Sequence, residues 1–291
     1  MWEVVIKLYQ NKLLRRMVLP LLARLPAGDI SIKHHYTGDL IRLHSYRHKG
    51  YWYHGRRREQ DSMRLFQTLI PKGAEVIEVG GHIGYVTLHL ASAVGAQGHV
   101  YVFEPGPNNL PYLLHNTQGH TNITVVAEAA GRFQERRAFH IEGLTGQNNS
   151  FLPDFEALAT NIKNSFATSV HRDTVTVGVV TLDDFCTTHA VCPYFIKIDV
   201  EGFEIEVLRG AAALLRNAPP MLMVEISRNQ REVFELLRQV GYCLFPPAGA
   251  FVARAEELGS SAINIFCLHE VKHAHVMARL ARAAAPLGHT I

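Results

Sequence analysis

Val76-Ile77-Glu78-Val79-Gly80-Gly81-His82-Ile83-Gly84-Tyr85 is the stretch on which the reading of this 291-residue chain turns. An apolar run of strand length meets a glycine-rich turn, and the segment Tyr85 to Val94 predicts an amphipathic helix directly after it. A second apolar run, His99-Val100-Tyr101-Val102-Phe103, then ends on an acid, Glu104. That order builds a nucleotide-type pocket at the carboxyl edge of a parallel sheet. Glycines let the backbone approach a ligand closely, and a helix start offers unpaired N–H groups.

Outward from this turn, apolar runs and helical periodicity alternate. Strands are expected at Val76–Val79, Val100–Phe103, Ile123–Val126, Phe195–Ile198 and Leu222–Glu225, with helices at Tyr85–Val94, Pro107–Asn116, Glu204–Leu215 and Gln230–Val240. Such alternation predicts an α/β architecture with a mostly parallel sheet. It breaks between the third and fourth strands, where Arg137–Ile141 and Thr174–Val180 read as antiparallel strands around a polar insert, Thr145-Gly146-Gln147-Asn148-Asn149-Ser150, with a helix-prone stretch from Asp154. Near the end, Tyr242–Phe245 and Ile263–Cys267 have no helix between them, so they predict an antiparallel hairpin at the sheet edge.

Before the turn the pattern differs. A basic, apolar segment (2–25) predicts a helix that either packs on its own domain or lies on a membrane surface. Short β-prone pieces follow at Leu40–Leu43 and Tyr51–Tyr53, then a helix Ser62–Ile70 with Asp61 as N-cap and Pro71-Lys72-Gly73 as its stop. The expected organisation is an N-terminal extension (1–70), a main domain (71–270) with an insert near 132–180, and a helix-prone tail (271–291).

Composition sets bounds. Hydrophobic content of 47% and charged content of 19% describe an ordinary globular chain with a full core. A net charge of +3 does not argue for nucleic acid. Basic runs such as Arg56-Arg57-Arg58 read as a solvated surface or as a contact for an anionic partner. Cys186, Cys192, Cys243 and Cys267 are scattered, with no metal or disulfide spacing, which points to a reduced, cytoplasmic setting. No run reaches the ~18 apolar residues of a membrane span.

The turn itself selects the ligand. Gly80, Gly81 and Gly84 fall short of a dinucleotide fingerprint, because His82 stands where a glycine is needed, and no Walker lysine follows. Glu78 at the head of the turn would repel a pyrophosphate but suits an ammonium group. S-adenosylmethionine, with a sulfonium, an amino-acid head and no phosphate, fits that logic, and Glu104 is placed to accept hydrogen bonds from both ribose hydroxyls.

Further motifs carry a resemblance. Phe103-Glu104-Pro105, Thr181-Leu182-Asp183-Asp184, Ile196-Lys197-Ile198-Asp199-Val200-Glu201-Gly202, Glu204 with Val207-Leu208-Arg209-Gly210-Ala211, and Val224-Glu225-Ile226 follow the glycine turn in order. From about Gly73 to Phe245 the chain resembles the FkbM-type S-adenosylmethionine-dependent methyltransferases. The resemblance implies a Rossmann-like class I methyltransferase sheet. It also implies a cofactor site at Glu78, Gly80, Gly81, His82, Gly84, Glu104 and Pro105, and O-methylation of a sugar, lipid or polyketide hydroxyl. Two residues depart from the family's usual pattern: Glu78 replaces an aspartate and His82 an asparagine.

Methyl transfer to a hydroxyl gains from a general base, typically by ~10²–10⁴ in rate. Asp199, Glu201 and Glu225 converge on the ligand edge of the fourth and fifth strands, and Asp199 is the first choice for base or acceptor positioning. Three acids together suggest either a base held by partners or a hard-cation site; no metal ligand set is assigned. The structural alternatives are that Glu201 caps the helix near Glu204 and that Lys197 pairs with a carboxylate. His82, His115 and His140 are candidates near the site, as are Asn148, Asn149 and Ser150 for acceptor hydroxyls. The expected protein is therefore a cytoplasmic O-methyltransferase for a glycan, glycolipid or related natural product. It would have no nucleic-acid partner, and residues 1–25 would be a possible peripheral membrane contact. A non-catalytic S-adenosylmethionine-binding scaffold at a membrane is the alternative.

Overall fold

A computed structural model of the chain describes residues 28–143, 146–152, 172–226, 228–248, 250–258 and 263–284. The expected N-terminal helix (2–25), Thr145 and the helix-prone stretch from Asp154 lie outside them.

Strands β1 (Asp29–Lys33) and β2 (Leu40–His44) form an antiparallel pair. The next aromatic run is not the extended piece expected at Tyr51–Tyr53 but a helix, α1 (Lys49–His54). A strand would send Tyr51 and Trp52 to opposite faces, whereas one helical turn buries both. Tyr51 packs 4.9 Å from the Tyr85 ring, and Trp52 Nε1 donates to Ser45 O at 2.8 Å. Helix α2 (Gln60–Leu69) starts one residue before Asp61, so Asp61 lies in its first turn and Glu59 is the N-cap residue. Its Phe66 ring lies 5.6 Å from Phe195 and 5.7 Å from Phe266, fixing this part of the chain to the main sheet.

The sheet then builds outward and returns. Strand β3 (Glu75–Val79), helix α3 (Tyr85–Val94), strand β4 (His99–Phe103), helix α4 (Leu110–Thr117) and strand β5 (Ile123–Val126) follow in order. Helix α4 starts three residues later than its sequence signal, with Pro111 in its first turn where a missing N–H is tolerated. Strands β6 (Ala129–Ala130), β7 (Glu135–Glu142) and β8 (Arg172–Val180) form a separate three-stranded sheet, in which β7 and β8 are antiparallel as expected.

Helix α5 (Leu182–His189) opens on Thr181, whose hydroxyl accepts from Asp184 N at 3.0 Å. After strand β9 (Phe195–Ile198), the single helix expected over Glu204–Leu215 is two, α6 (Glu204–Arg209) and α7 (Ala212–Asn217). The break is at Gly210, where an added Cβ would lie 1.9 Å from Gly131 O. Both Asp183 carboxylate oxygens accept from the start of α7, at Ala213 N and Leu214 N, each 2.8 Å away. Strand β10 (Met221–Ile226), helix α8 (Gln230–Gln239), strands β11 (Tyr242–Phe245) and β12 (Ile263–His269) and helix α9 (Ala274–Ala284) complete the described chain.

The seven-stranded sheet has the order β11-β12-β10-β9-β3-β4-β5. Pairing is parallel from β5 through β10 and antiparallel where β12 joins β10 and β11. This is the α/β architecture expected, with its C-terminal antiparallel hairpin. Alternate residues of the central strands feed two cores: Val76, Phe195 and Met223 on one face, Ile77, Ile196 and Val224 on the other. A sheet covered on both faces needs continuous apolar strands, which is what these runs are. The strand order reverses between β3 and β9, the place where open α/β sheets bind ligands. Among the described residues no helix is long and apolar enough to cross a membrane.

Candidate active site

The reversal point opens into a cavity of about 300 Å³. Its floor is the glycine turn. Gly80 N and Gly81 N both donate to Phe103 O at 3.0 Å, locking the turn to the end of β4. Gly80 has φ +91°, and a Cβ there would lie 1.9 Å from Asp199 O, so only glycine lets β3 and β9 close together at the site. Gly84 is the N-cap residue of α3. His82 sits in the left-handed region (φ 48°), its Nδ1 in a 2.8 Å hydrogen bond with Tyr51 Oη and the two rings stacked.

Glu104 is buried beside the turn. It accepts from His82 N at 2.7 Å, Gly106 N at 2.8 Å and Asn109 Nδ2 at 3.3 Å. Burial pushes its carboxyl up to about 7 in spite of these donors. Pro105 lines the same wall.

Glu78 and Lys197 are each 1% exposed. Glu78 Oε2 accepts from Thr87 Oγ1 at 2.6 Å, while Oε1 lies 3.6 Å from Lys197 Nζ and has no hydrogen bond. Burial raises the Glu78 carboxyl although Lys197 opposes the rise. Lys197 Nζ donates to Asp199 Oδ2 at 3.0 Å and Gly80 O at 3.4 Å. Burial alone would lower its ammonium, but Asp199 and Glu78 hold it above the ordinary range.

Asp199, Glu201 and Glu225 do converge: one carboxylate oxygen from each lies within 4.8 Å of the others, a spacing that could hold a hard cation. Burial works against ionisation of Asp199, but Lys197 and a hydrogen bond donated by Glu225 hold it below the usual range. Asp199 and burial push Glu225 well above that range, and burial and Asp199 do the same to Glu201. Two like charges this close keep one proton between them. Glu201 does not cap the following helix, as its spacing had allowed. Gly202 N donates instead to Glu204 Oε1 at 2.7 Å, and Glu201, in the left-handed region at φ 53°, lines the cavity.

The insert supplies a further wall. Asn149 Oδ1 accepts from Glu142 N at 3.0 Å, its Nδ2 donates to Asn108 Oδ1 at 2.8 Å, and Ser150 Oγ donates to Glu201 O at 2.8 Å. Asn148 and Asn149 line the cavity, and Ser150 braces Glu201. Two histidines fall away from the site. His115 is exposed on α4, and His140 lies on β7 with Nδ1 3.1 Å from Thr174 Oγ1, while its neighbour Phe139 lines the cavity.

Several lining residues gave no sequence signal. Tyr51, Arg58 and Glu59 come from the segment before β3, Asn109 from the start of α4, and Phe151 and Phe203 from loops. Arg58 belonged to a basic run that reads as a solvated surface or as a contact for an anionic partner, and only the packing of α1 and α2 places it on the cavity wall. A left-handed Glu59 has no signature in a sequence.

A family model described as Methyltransferase FkbM domain matches residues 78–244. No curated protein matches the sequence. Among solved structures, the chain is similar to the methyltransferase FkbM from Methylobacillus flagellatus KT, with 18% identity and a TM-score of 0.43. That match covers 67% of this chain and 43% of the other, so the chain spans less than half of that protein's length. Aeropyrum pernix fibrillarin with natively bound S-adenosyl-L-methionine is similar over 82% of this chain and 89% of its own, at 12% identity and a TM-score of 0.39. An S-adenosylmethionine-dependent O-methyltransferase from Thermotoga maritima is similar over 72% and 64%, at 13% identity and a TM-score of 0.39.

Proposed function

The chain belongs to the FkbM methyltransferase family, and from that premise we propose that it is an O-methyltransferase, moving a methyl group from S-adenosylmethionine to a hydroxyl of a glycan, glycolipid or related natural product. The observation that carries this reading is the cluster of Asp199, Glu201 and Glu225 at the edge of the cavity that the glycine turn floors.

The residues fit the cofactor. Gly80 leaves no room for a side chain, and Glu78 Oε1 and Asn109 Oδ1 are buried lining atoms without a hydrogen bond, which a ligand with donors would satisfy. Glu104 supplies carboxylate oxygens for ribose hydroxyls, and Pro105 flanks them. When bound, S-adenosylmethionine supplies an electrophilic methyl on a sulfonium.

The acids handle the acceptor. Asp199, held ionised by Lys197, is a weak base and suits orienting a hydroxyl by accepting its hydrogen bond. Glu225, raised by Asp199 and by burial, is the stronger base of the pair once ionised and takes the hydroxyl proton, with Glu201 as its neighbour. The base role that the sequence assigned first to Asp199 therefore passes to Glu225 in this mechanism. Phe139, Phe151 and Phe203 give the acceptor an apolar wall and keep water from the methyl. The four free cysteines support a reducing cytoplasmic setting.

Incubation with methyl-labelled S-adenosylmethionine and fractionated cell glycans and lipids tests the reading. Label in an alkali-stable ether on one fraction, lost in Glu225→Gln, is the expected result. Transfer to amine or thiol acceptors alone would refute the O-methyl assignment.

A further inference from the structure

Arg58 and Glu59 are charged residues of the cavity wall that the mechanism leaves without work. They join the 3₁₀ turn Gly55–Arg57 to α2, and Glu59 is held in the left-handed region at φ 52°. The Arg58 guanidinium lies 4.4 Å over the Tyr51 ring, and Tyr51 in turn is bonded to His82 of the glycine turn. Arg58 Nε approaches Glu59 Oε1 at 3.4 Å, yet Nε makes no hydrogen bond, and neither does the buried Glu59 Oε2. A buried donor on a cation and a buried acceptor on an anion, side by side on a cavity wall, are each costly without a partner.

The charges of the rest of the wall narrow the choice of partner. Of the two permanently cationic side chains among the described lining residues, Lys197 is already committed to Asp199 and Glu78. A ligand carboxylate entering this cavity therefore finds its open cationic donor at Arg58. Glu78, expected from the sequence to face an ammonium, shares the Lys197 ammonium with Asp199 and keeps Oε1 without a hydrogen bond, as Glu59 keeps Oε2; Glu59 differs in standing beside the Arg58 donor, as an amino-acid head requires. Arg58 lies close enough to act on the charge of Asp199, and Glu59 on those of Lys197 and Glu225, so the pair stands beside the turn and the acids. An ion pair at 3.4 Å that leaves one cationic donor and one anionic acceptor without hydrogen bonds is the complement of an α-amino-acid zwitterion.

We propose that Arg58 and Glu59 form the subsite for the amino-acid head of S-adenosylmethionine, the Arg58 guanidinium taking its carboxylate and the Glu59 carboxylate its ammonium. This rests on the cofactor reading above and assigns to the N-terminal extension a binding role separate from acceptor choice. It also accounts for the left-handed backbone at Glu59, a conformation that persists only where surrounding structure enforces it.

Binding, not turnover, tests it. Calorimetry compares S-adenosylhomocysteine, which has the amino-acid head, with methylthioadenosine, which lacks it, on the full chain and on Arg58→Met and Glu59→Gln. Both side chains keep 23% exposure, and Arg58→Met retains an apolar stem over Tyr51, so thermal melts should match the parent. Arg58→Met should weaken S-adenosylhomocysteine by about 10- to 100-fold, the range of a charge-assisted hydrogen bond, and leave methylthioadenosine unchanged. Decarboxylated S-adenosylmethionine separates the two residues: Glu59→Gln should weaken it and Arg58→Met should not. An equal loss on headed and headless ligands, or no loss on either, overturns the subsite. Should Arg58→Met not fold, Glu59→Gln carries the same comparison. If the parent binds neither S-adenosylhomocysteine nor methylthioadenosine, the cofactor reading itself fails, a result distinct from binding with unaltered discrimination.

Discussion

Replacing Glu104 by glutamine isolates the electrostatic strain beside the glycine turn. Glu104 is 4% exposed, and burial lifts its carboxyl from 4.5 to about 7 even though three N–H donors face it. With the folded value above the unfolded one, the folded state keeps a proton that the unfolded chain has already released. The stability this contributes is fully present below about pH 4.5 and is lost as the pH rises through about 7. Between pH 5 and pH 8 the linkage relation gives a loss of about 2.5 kcal/mol. Glutamine does not titrate, but its single oxygen cannot serve all three donors, a pH-independent penalty of about 1–3 kcal/mol. Glu104→Gln should therefore be clearly less stable than the parent at pH 5 and close to it at pH 8. Urea unfolding of both proteins at the two pH values measures this, since other titrating groups cancel in the difference. A difference that stays constant to within about 0.5 kcal/mol would show that Glu104 is not strained by burial. In the same variant S-adenosylmethionine should bind more weakly at both pH values, because the proposed acceptor for the ribose is lost.

Asp199 is the largest influence raising Glu225, so Asp199→Asn should move the acid limb of the kcat/KM profile to lower pH while slowing turnover; an unmoved limb would dissociate Glu225 from the base role. Lys197→Met leaves Asp199 and Glu78 without their counter-charge and should cost about 3–5 kcal/mol at pH 8, less at pH 5 where these acids can take up protons; urea midpoints at both pH values check the sign. Turnover should survive EDTA, because the Lys197 ammonium already opposes the Asp199 charge that a cation would neutralise. Loss on chelation that magnesium or manganese restores would convert the three acids into a cation site.

Much of this site is written locally in the chain. The turn Gly80–Gly84, the acid ending β4 and the acids ending β9 and β10 each sit at the carboxyl end of a short apolar run, so their arrival at one sheet edge follows from alternation alone. The errors have local physical causes too. Tyr51–Tyr53 carries β-prone aromatics, but a helical turn buries both Tyr51 and Trp52, which a strand would send to opposite faces. The helix expected through Gly210 is divided where the Asp183 carboxylate, distant in sequence, accepts from Ala213 N and Leu214 N and gives α7 its own start.

By itself, then, the sequence determined the parallel sheet, the place of the glycine turn and the identity of the acids beside it, because hydrophobic period and glycine geometry are local properties. Only the tertiary structure decided which of those acids holds a proton, since that depends on the 3.0 Å pairing of Lys197 with Asp199 and on burial. It alone carried Arg58 and Glu59 from a surface-like basic run to the cavity wall, because their position is set by contacts between α1, α2 and the sheet. Charges report their chemistry in a sequence, but their partners and their desolvation exist only in three dimensions.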